Sequence, residues 1–153
     1  MSRPSFLRLW FIAAWASLAG LGCGPPQRVA TESEQNLAQL SRLYGVYLSK
    51  NKGQAPTNIE ALKAFAGKSD QADLKGRGIT AADVESIFNS TRDKEPFVYR
   101  APRQSDVPGV GPEEVVFYEK TGVNGKRYVA FTTPGKVAEL DPAEFKTAVP
   151  EAP

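Results

Sequence analysis

Histidine is missing from the 153 residues, and cysteine and methionine occur once each. Without histidine there is no Ser-His-Asp triad and no His-ligated metal centre. One cysteine forms neither an internal disulfide nor a Cys-x-x-Cys redox pair. A surplus of charge is also lacking. Lys and Arg number 19 against 17 Asp and Glu, and Arg3 and Arg8, in an acid-free first 22 residues, account for the whole formal +2. A neutral body argues against an electrostatic nucleic-acid binder. These absences leave carboxylates as the acid/base inventory.

What is present begins with an apolar stretch over residues 9–21, thirteen residues long and preceded by Arg3 and Arg8. A helix of that length does not cross a ~30 Å hydrocarbon core. A basic start, a short apolar run and the small residues Gly20 and Gly22 predict a secretory signal peptide over 1–22. It ends at Cys23, followed by Gly24-Pro25-Pro26, which cannot continue a helix. Leu18-Ala19-Gly20-Leu21-Gly22-Cys23 resembles the lipobox of bacterial lipoproteins, with Gly20 where that motif usually has leucine. The resemblance implies cleavage before Cys23 and a thioether-linked diacylglycerol on its sulfur, carrying palmitate or similar acyl chains. Acyl chains at ~0.8 kcal/mol per buried CH₂ would anchor the chain to a membrane. They would also remove an exported, oxidisable thiol. Gly24 in place of Asp carries no inner-membrane retention signal, so the expected location is the bacterial cell envelope, facing the periplasm, with the outer membrane open to it.

Beyond a lipidated tether over 23–30, the pattern predicts one α+β domain over 31–149 and a tail over 150–153. Thr31-Glu32-Ser33-Glu34 reads as a capping box. Leu37, Leu40, Leu43, Tyr44, Tyr47 and Leu48 then make an amphipathic helix ending near Lys50. Gly45 inside it costs about 1 kcal/mol relative to Ala, so packing is expected to require it. Thr57-Asn58-Ile59-Glu60 reads as a second capping box, opening a short helix that ends at Gly67, and 68–78 as a polar surface loop. Thr80 is expected to cap a third helix, with Ile79 and Val84 as its staple and Ile87 and Phe88 on its buried face. From Pro96 the period changes to strands at 97–100, 115–120, 126–133 and 137–140. Asn124-Gly125 and Pro134-Gly135 supply the turns of an antiparallel meander with 126–133 central. Asp141-Pro142 opens a short last helix. The expected fold is an N-terminal amphipathic helix and short helices on a small antiparallel sheet. Leu40 and Tyr44 are expected against Val129 or Phe131.

The catalytic motifs fail on their own terms. Gly67-Lys68-Ser69 lacks the earlier glycine of a phosphate loop, and Gly109-Val110-Gly111 lacks the third glycine of a dinucleotide turn. Asp70 and Asp73 lack calcium-loop spacing. Asn89-Ser90-Thr91 matches a glycosylation acceptor but reads as a helix end. Adjacent Glu113 and Glu114 point to opposite faces of a strand. Lys126/Arg127 and Arg100/Arg103 are expected to pair with Glu113, Glu114 and Glu119. No catalytic, cofactor-binding or metal-ligating residue is assigned.

Asn36-Leu37 through Gly53-Gln54-Ala55-Pro56-Thr57, followed by Ile59-Glu60-Ala61-Leu62, resembles the segment after the hydrophobic helix of type II secretion pseudopilins. The block from Phe88-Asn89-Ser90-Thr91 to Pro96-Phe97-Val98-Tyr99 is similar to one in small bacterial lipoproteins. The C-terminal part resembles a prepilin-associated domain named for a His, nine residues and an Asp-Gly. Asn124 stands at the His position and Pro134-Gly135 at the Asp-Gly, so only Gly135 is kept. The resemblance implies a pseudopilin-like module without the polymerising helix, a lipid taking that helix's place. Asn124, Gly125, Pro134 and Gly135 are then structural turn residues.

Two functions follow as expectations. The first is a non-enzymatic, membrane-anchored envelope lipoprotein, a structural or protein-interaction module whose partners are the membrane and an envelope protein, with no nucleic acid and no cofactor. The alternative is a carboxylate-dependent envelope enzyme acting on glycans, which needs no histidine. Two carboxylates ~5–10 Å apart in a cleft would mark it.

Overall fold

A computed structural model describes residues 29–80, 84–102 and 113–151. The first helix, α1 (Glu32–Lys50), starts where Thr31 sits in an extended conformation and its hydroxyl accepts the Glu34 amide. Its stripe of Leu37, Leu40, Leu43 and Tyr44 is buried. Gly45 has the packing reason its place demands: a Cβ there would lie 2.8 Å from Pro134 Cγ.

The second helix, α2 (Ile59–Lys68), is capped by Asn58, whose side chain accepts from the Ala61 amide, one residue later than the expected Thr57. The stretch expected as a loop over 68–78 contains a further helix, α3 (Gln71–Gly76). Asp70 caps it through the Ala72 amide, and Leu74 is fully buried. A single apolar residue in six shows no period, so only the cap was there to be read. The expected third helix is a 3₁₀ turn over Val84–Phe88 among the described residues, with Ile87 and Phe88 buried. Residues 81–83, where its first turn was expected, lie outside them.

Four strands form one antiparallel sheet in the order β1 (Val98–Tyr99), β2 (Val115–Tyr118), β3 (Arg127–Phe131), β4 (Val137–Leu140). The last three make the expected meander around β3, and α4 (Pro142–Ala148) follows with a full capping box between Asp141 and Glu144. The fold is α+β: four helices and four strands among the described residues.

Both faces of the sheet are covered, and this overturns one expected contact. Leu40 and Tyr44 share a core with Val116, Phe117, Tyr128 and Ala130. Val129 belongs to the opposite face, where Phe131 packs with it, Val115, Tyr118 and the α4 residue Phe145. Tyr128 and Ala130, not Val129 or Phe131, face α1. The register of β2 on β3 shifts between Val115 and Phe117, a β-bulge that puts the consecutive Val116 and Phe117 into one core.

Candidate functional site

The densest polar cluster among the described residues is built on the loop between the 3₁₀ turn and β1. That loop is closed at its base: Phe97 N donates to Phe88 O at 2.9 Å, and Ser90 N to Glu95 O at 3.0 Å. Lys94 takes a left-handed φ of 64° to make the return. The closure projects Ser90, Arg92 and Asp93 towards the sheet and the start of α1.

Glu119, just past β2, is fully buried. It receives the Ser90 hydroxyl on Oε1 at 2.9 Å, and Arg92 Nη2 at 2.8 Å and the Tyr128 amide at 2.9 Å on Oε2. Arg92 Nη1 also donates to Glu139 of β4, and Nη2 to Lys126 O at 2.9 Å. The guanidinium lies 4.2 Å from the centroid of the Tyr128 ring. Ser33, in the first turn of α1, accepts the Arg92 amide at 2.9 Å and lies 3.2 Å from Ser90 Oγ. One arginine thus ties α1, the loop, β2, β3 and β4 together.

The electrostatics favour the charged forms of Arg92 and Asp93. Burial works against the Arg92 cation, but hydrogen bonds and charges from Glu139 and Glu119 outweigh it and raise its pKa. Its Nε is buried with no hydrogen-bond partner among the described residues. Burial likewise pushes the Asp93 carboxyl up, yet the amides of Gly122, Thr121 and Glu95 reverse this and hold it below the usual range. Asp93 accepts from Thr121 N at 3.1 Å and Gly122 N at 2.9 Å, fastening the β2–β3 loop.

The sequence-assigned residues fall around this knot and elsewhere. Cys23 and the leader over 1–22 lie outside the described residues. Asn124 and Gly125 form the tip of the loop that Asp93 fastens, with φ of 54° and 75° and the Val123–Lys126 bridge beneath them. Pro134 and Gly135 lie at the other end of β3 against α1: Pro134 fits over Gly45, and Gly135 N donates to Ser41 Oγ at 3.1 Å. The structure does not bring the two turns into one site. The expected pairing of Glu119 with Lys126 or Arg127 is corrected, since its partner is Arg92. Arg127 instead stacks 4.4 Å from the Phe145 ring. Glu113 and Glu114 do part company, to Lys136 and Arg100 respectively. Arg103 and the 109–111 glycine pair lie outside the described residues.

Asp70 is a helix cap and not a loop residue, and Asp73 bridges Lys50 and Arg77. Two carboxylates do converge, Glu119 and Glu139, but on Arg92 between them and not on an open cleft. The arrangement holds five elements in register. No family model, curated protein or solved structure matches the chain.

Proposed function

We propose that this chain is a lipid-anchored envelope lipoprotein whose folded part is a non-enzymatic structural or protein-interaction module with pseudopilin-like features. The observation that carries the reading is the Leu18–Cys23 segment: a lipobox-like end to a short apolar run, at the only cysteine of the chain. The folded part supports it in two ways. Its first described helix begins at Glu32, nine positions after Cys23 in the sequence. Its clustered carboxylates are engaged by Arg92, by lysines or by backbone amides. No helix among the described residues is long and apolar enough to cross a membrane. The attachment proposed rests on the lipobox-like segment and uses acyl chains on Cys23.

The test is metabolic labelling with radioactive palmitate in a bacterial host, followed by membrane fractionation. Wild type takes up label and sediments with membranes; Cys23→Ser takes up none and is released. Equal labelling of the two would end the lipoprotein reading.

A further inference from the structure

The strand β4 ends the sheet, and no described strand lies beyond it. Phe131 N donates to Lys136 O at 3.2 Å, and the register pairs Ala130 with Val137 and Val129 with Ala138. Hydrogen-bonded and non-hydrogen-bonded pairs alternate along an antiparallel ladder. Phe131–Lys136 is of the bonded kind, so Ala130–Val137 is not, and the amide and carbonyl of Val137 point to the open edge. The Val137 side chain packs against the core beneath α1, which holds this edge in place.

Beside that edge runs a cleft of about 340 Å³, walled by Val137 and Gly135, by Glu34, Ala38 and Arg42 of α1, and by Gly78. The three α1 residues recur every four positions, so they form one ridge roughly 12 Å long. Ala38 keeps the middle of the ridge low. At its end the Arg42 guanidinium is held by Nη1 donating to Gly78 O at 3.0 Å. It lies against two glycines of positive φ, where a Cβ would come within 3.6 Å at Gly78 and 3.0 Å at Gly135. Arg42 forms no ion pair with a carboxylate among the described residues. Among the described residues one donor is used to fix the group, which leaves the others for a ligand.

We propose that this cleft receives an extended segment of a partner protein, added to β4 as a further strand, with a carboxylate of that segment on Arg42. Main-chain hydrogen bonds to Val137 supply affinity, and the charge-assisted contact to Arg42 selects an acidic residue or chain end. This names the partner class for the interaction reading above and is independent of the lipid. Palmitate labelling at Cys23 therefore fails or succeeds separately from it.

The experiment is an amide and Arg side-chain NMR titration of the ¹⁵N-labelled mature chain in detergent, with an acetylated Thr-Val-Thr-Val-Asp pentapeptide taken to millimolar concentration. Saturable shifts are expected at Gly135, Val137 and Arg42 Nε. Arg42→Gln, or Asn in place of the peptide's Asp, weakens binding about tenfold, the effect of one charge-assisted contact. Val137→Pro abolishes it while leaving the spectrum folded, because proline is tolerated at the first residue of an edge strand whose amide is outside the ladder. Should that variant misfold, a pentapeptide N-methylated at alternate amides gives the same loss on the wild type. No saturable shift at Val137, or equal affinity for Arg42→Gln, overturns the proposal. So do concentration-dependent shifts at Val137 without peptide, which would assign the edge to a second copy.

Discussion

Arg92 lies across the fully buried carboxylate of Glu119, with Nη2 2.8 Å from Oε2 and the guanidinium 4.2 Å from the centre of the Tyr128 ring. A buried ion pair is weak support for stability as a pair, but removing one partner leaves an uncompensated charge. Arg92→Met is therefore expected to destabilise the fold by about 3–5 kcal/mol. Adding Glu119→Met should restore part of that loss. Urea unfolding of both variants checks it: a double variant no more stable than Arg92→Met would show that the cost lies in the lost ring stacking and hydrogen bonds, not in the stranded carboxylate.

The face of the sheet that α1 covers gives a second prediction. Leu40 is fully buried, and Leu40→Ala is expected to cost roughly 2–5 kcal/mol. That is a large share of a small domain's ~5–15 kcal/mol margin. Leu40 shares a core with Phe117 and Tyr128, whereas Val129 lies on the opposite face. Double-mutant cycles should thus find coupling of Leu40→Ala with Phe117→Leu and additivity with Val129→Ala. The reverse pattern would contradict the register of β3.

The sequence carries that face only in part, for a physical reason. The α1 stripe is legible because its apolar residues repeat every three or four positions against a polar background. Strands β2 and β3 offer no such contrast: α1 packs on one side and α4 on the other, so Val115, Val116, Phe117 and Tyr118 are all buried. A strand covered on both faces reads as a continuous apolar run, and parity cannot be assigned from it. The bulge between Val115 and Phe117 shifts the register further. The Arg92 knot was illegible for another reason. Its carboxylates stand 27 and 47 positions away along the chain, beyond any local spacing rule. One signal was available, a glutamate directly after four apolar strand residues, where a buried acid needs a partner. The turn residues were legible because positive φ restricts residue type so strongly.

Stability should depend on pH at both ends. Asp93 is depressed in the folded state, so its contribution is complete above the ordinary carboxylate value of about 3.9 and is lost as pH falls through the lower folded value. Asp93→Asn should flatten the acid arm of a stability–pH curve. At the alkaline end burial, with the charge of Glu114 second, pushes the Tyr44 hydroxyl up to about 12. Its contribution is complete below about pH 10 and is lost as pH rises towards the folded value. Tyr44→Phe should remove that part of the alkaline loss. Acid and base titrations followed by circular dichroism measure both arms, and unchanged arms would count against these environments.

Three glycines and one asparagine of positive φ occupy the two turns that flank β3, and the space around each ranks their tolerance. Asn124, at φ 54°, is a residue type that accepts the left-handed region, so Asn124→Gly should be nearly neutral. Gly125 has only Pro142 Cγ near a would-be Cβ, at 3.6 Å, so Gly125→Ala meets the backbone penalty alone, about 1–2 kcal/mol. At Gly135 a Cβ would come 3.0 Å from Arg42 Nε, the end of a flexible side chain that can give way, although a β-branched valine there meets a larger backbone penalty. Gly122 is the demanding position. A Cβ there would lie 2.3 Å from Lys126 O and 2.6 Å from Arg127 Cγ, at φ 74°. The same residue donates its amide to Asp93 at 2.9 Å, so its backbone cannot move aside without releasing the loop from the Arg92–Asp93 segment. Gly122→Ala should therefore destabilise more than Gly125→Ala and also weaken the acid-side contribution of Asp93. Thermal unfolding ranks the first effect and the pH curve reads the second. A Gly122→Ala variant as stable as Gly125→Ala would mean that the β2–β3 loop is not closed as described.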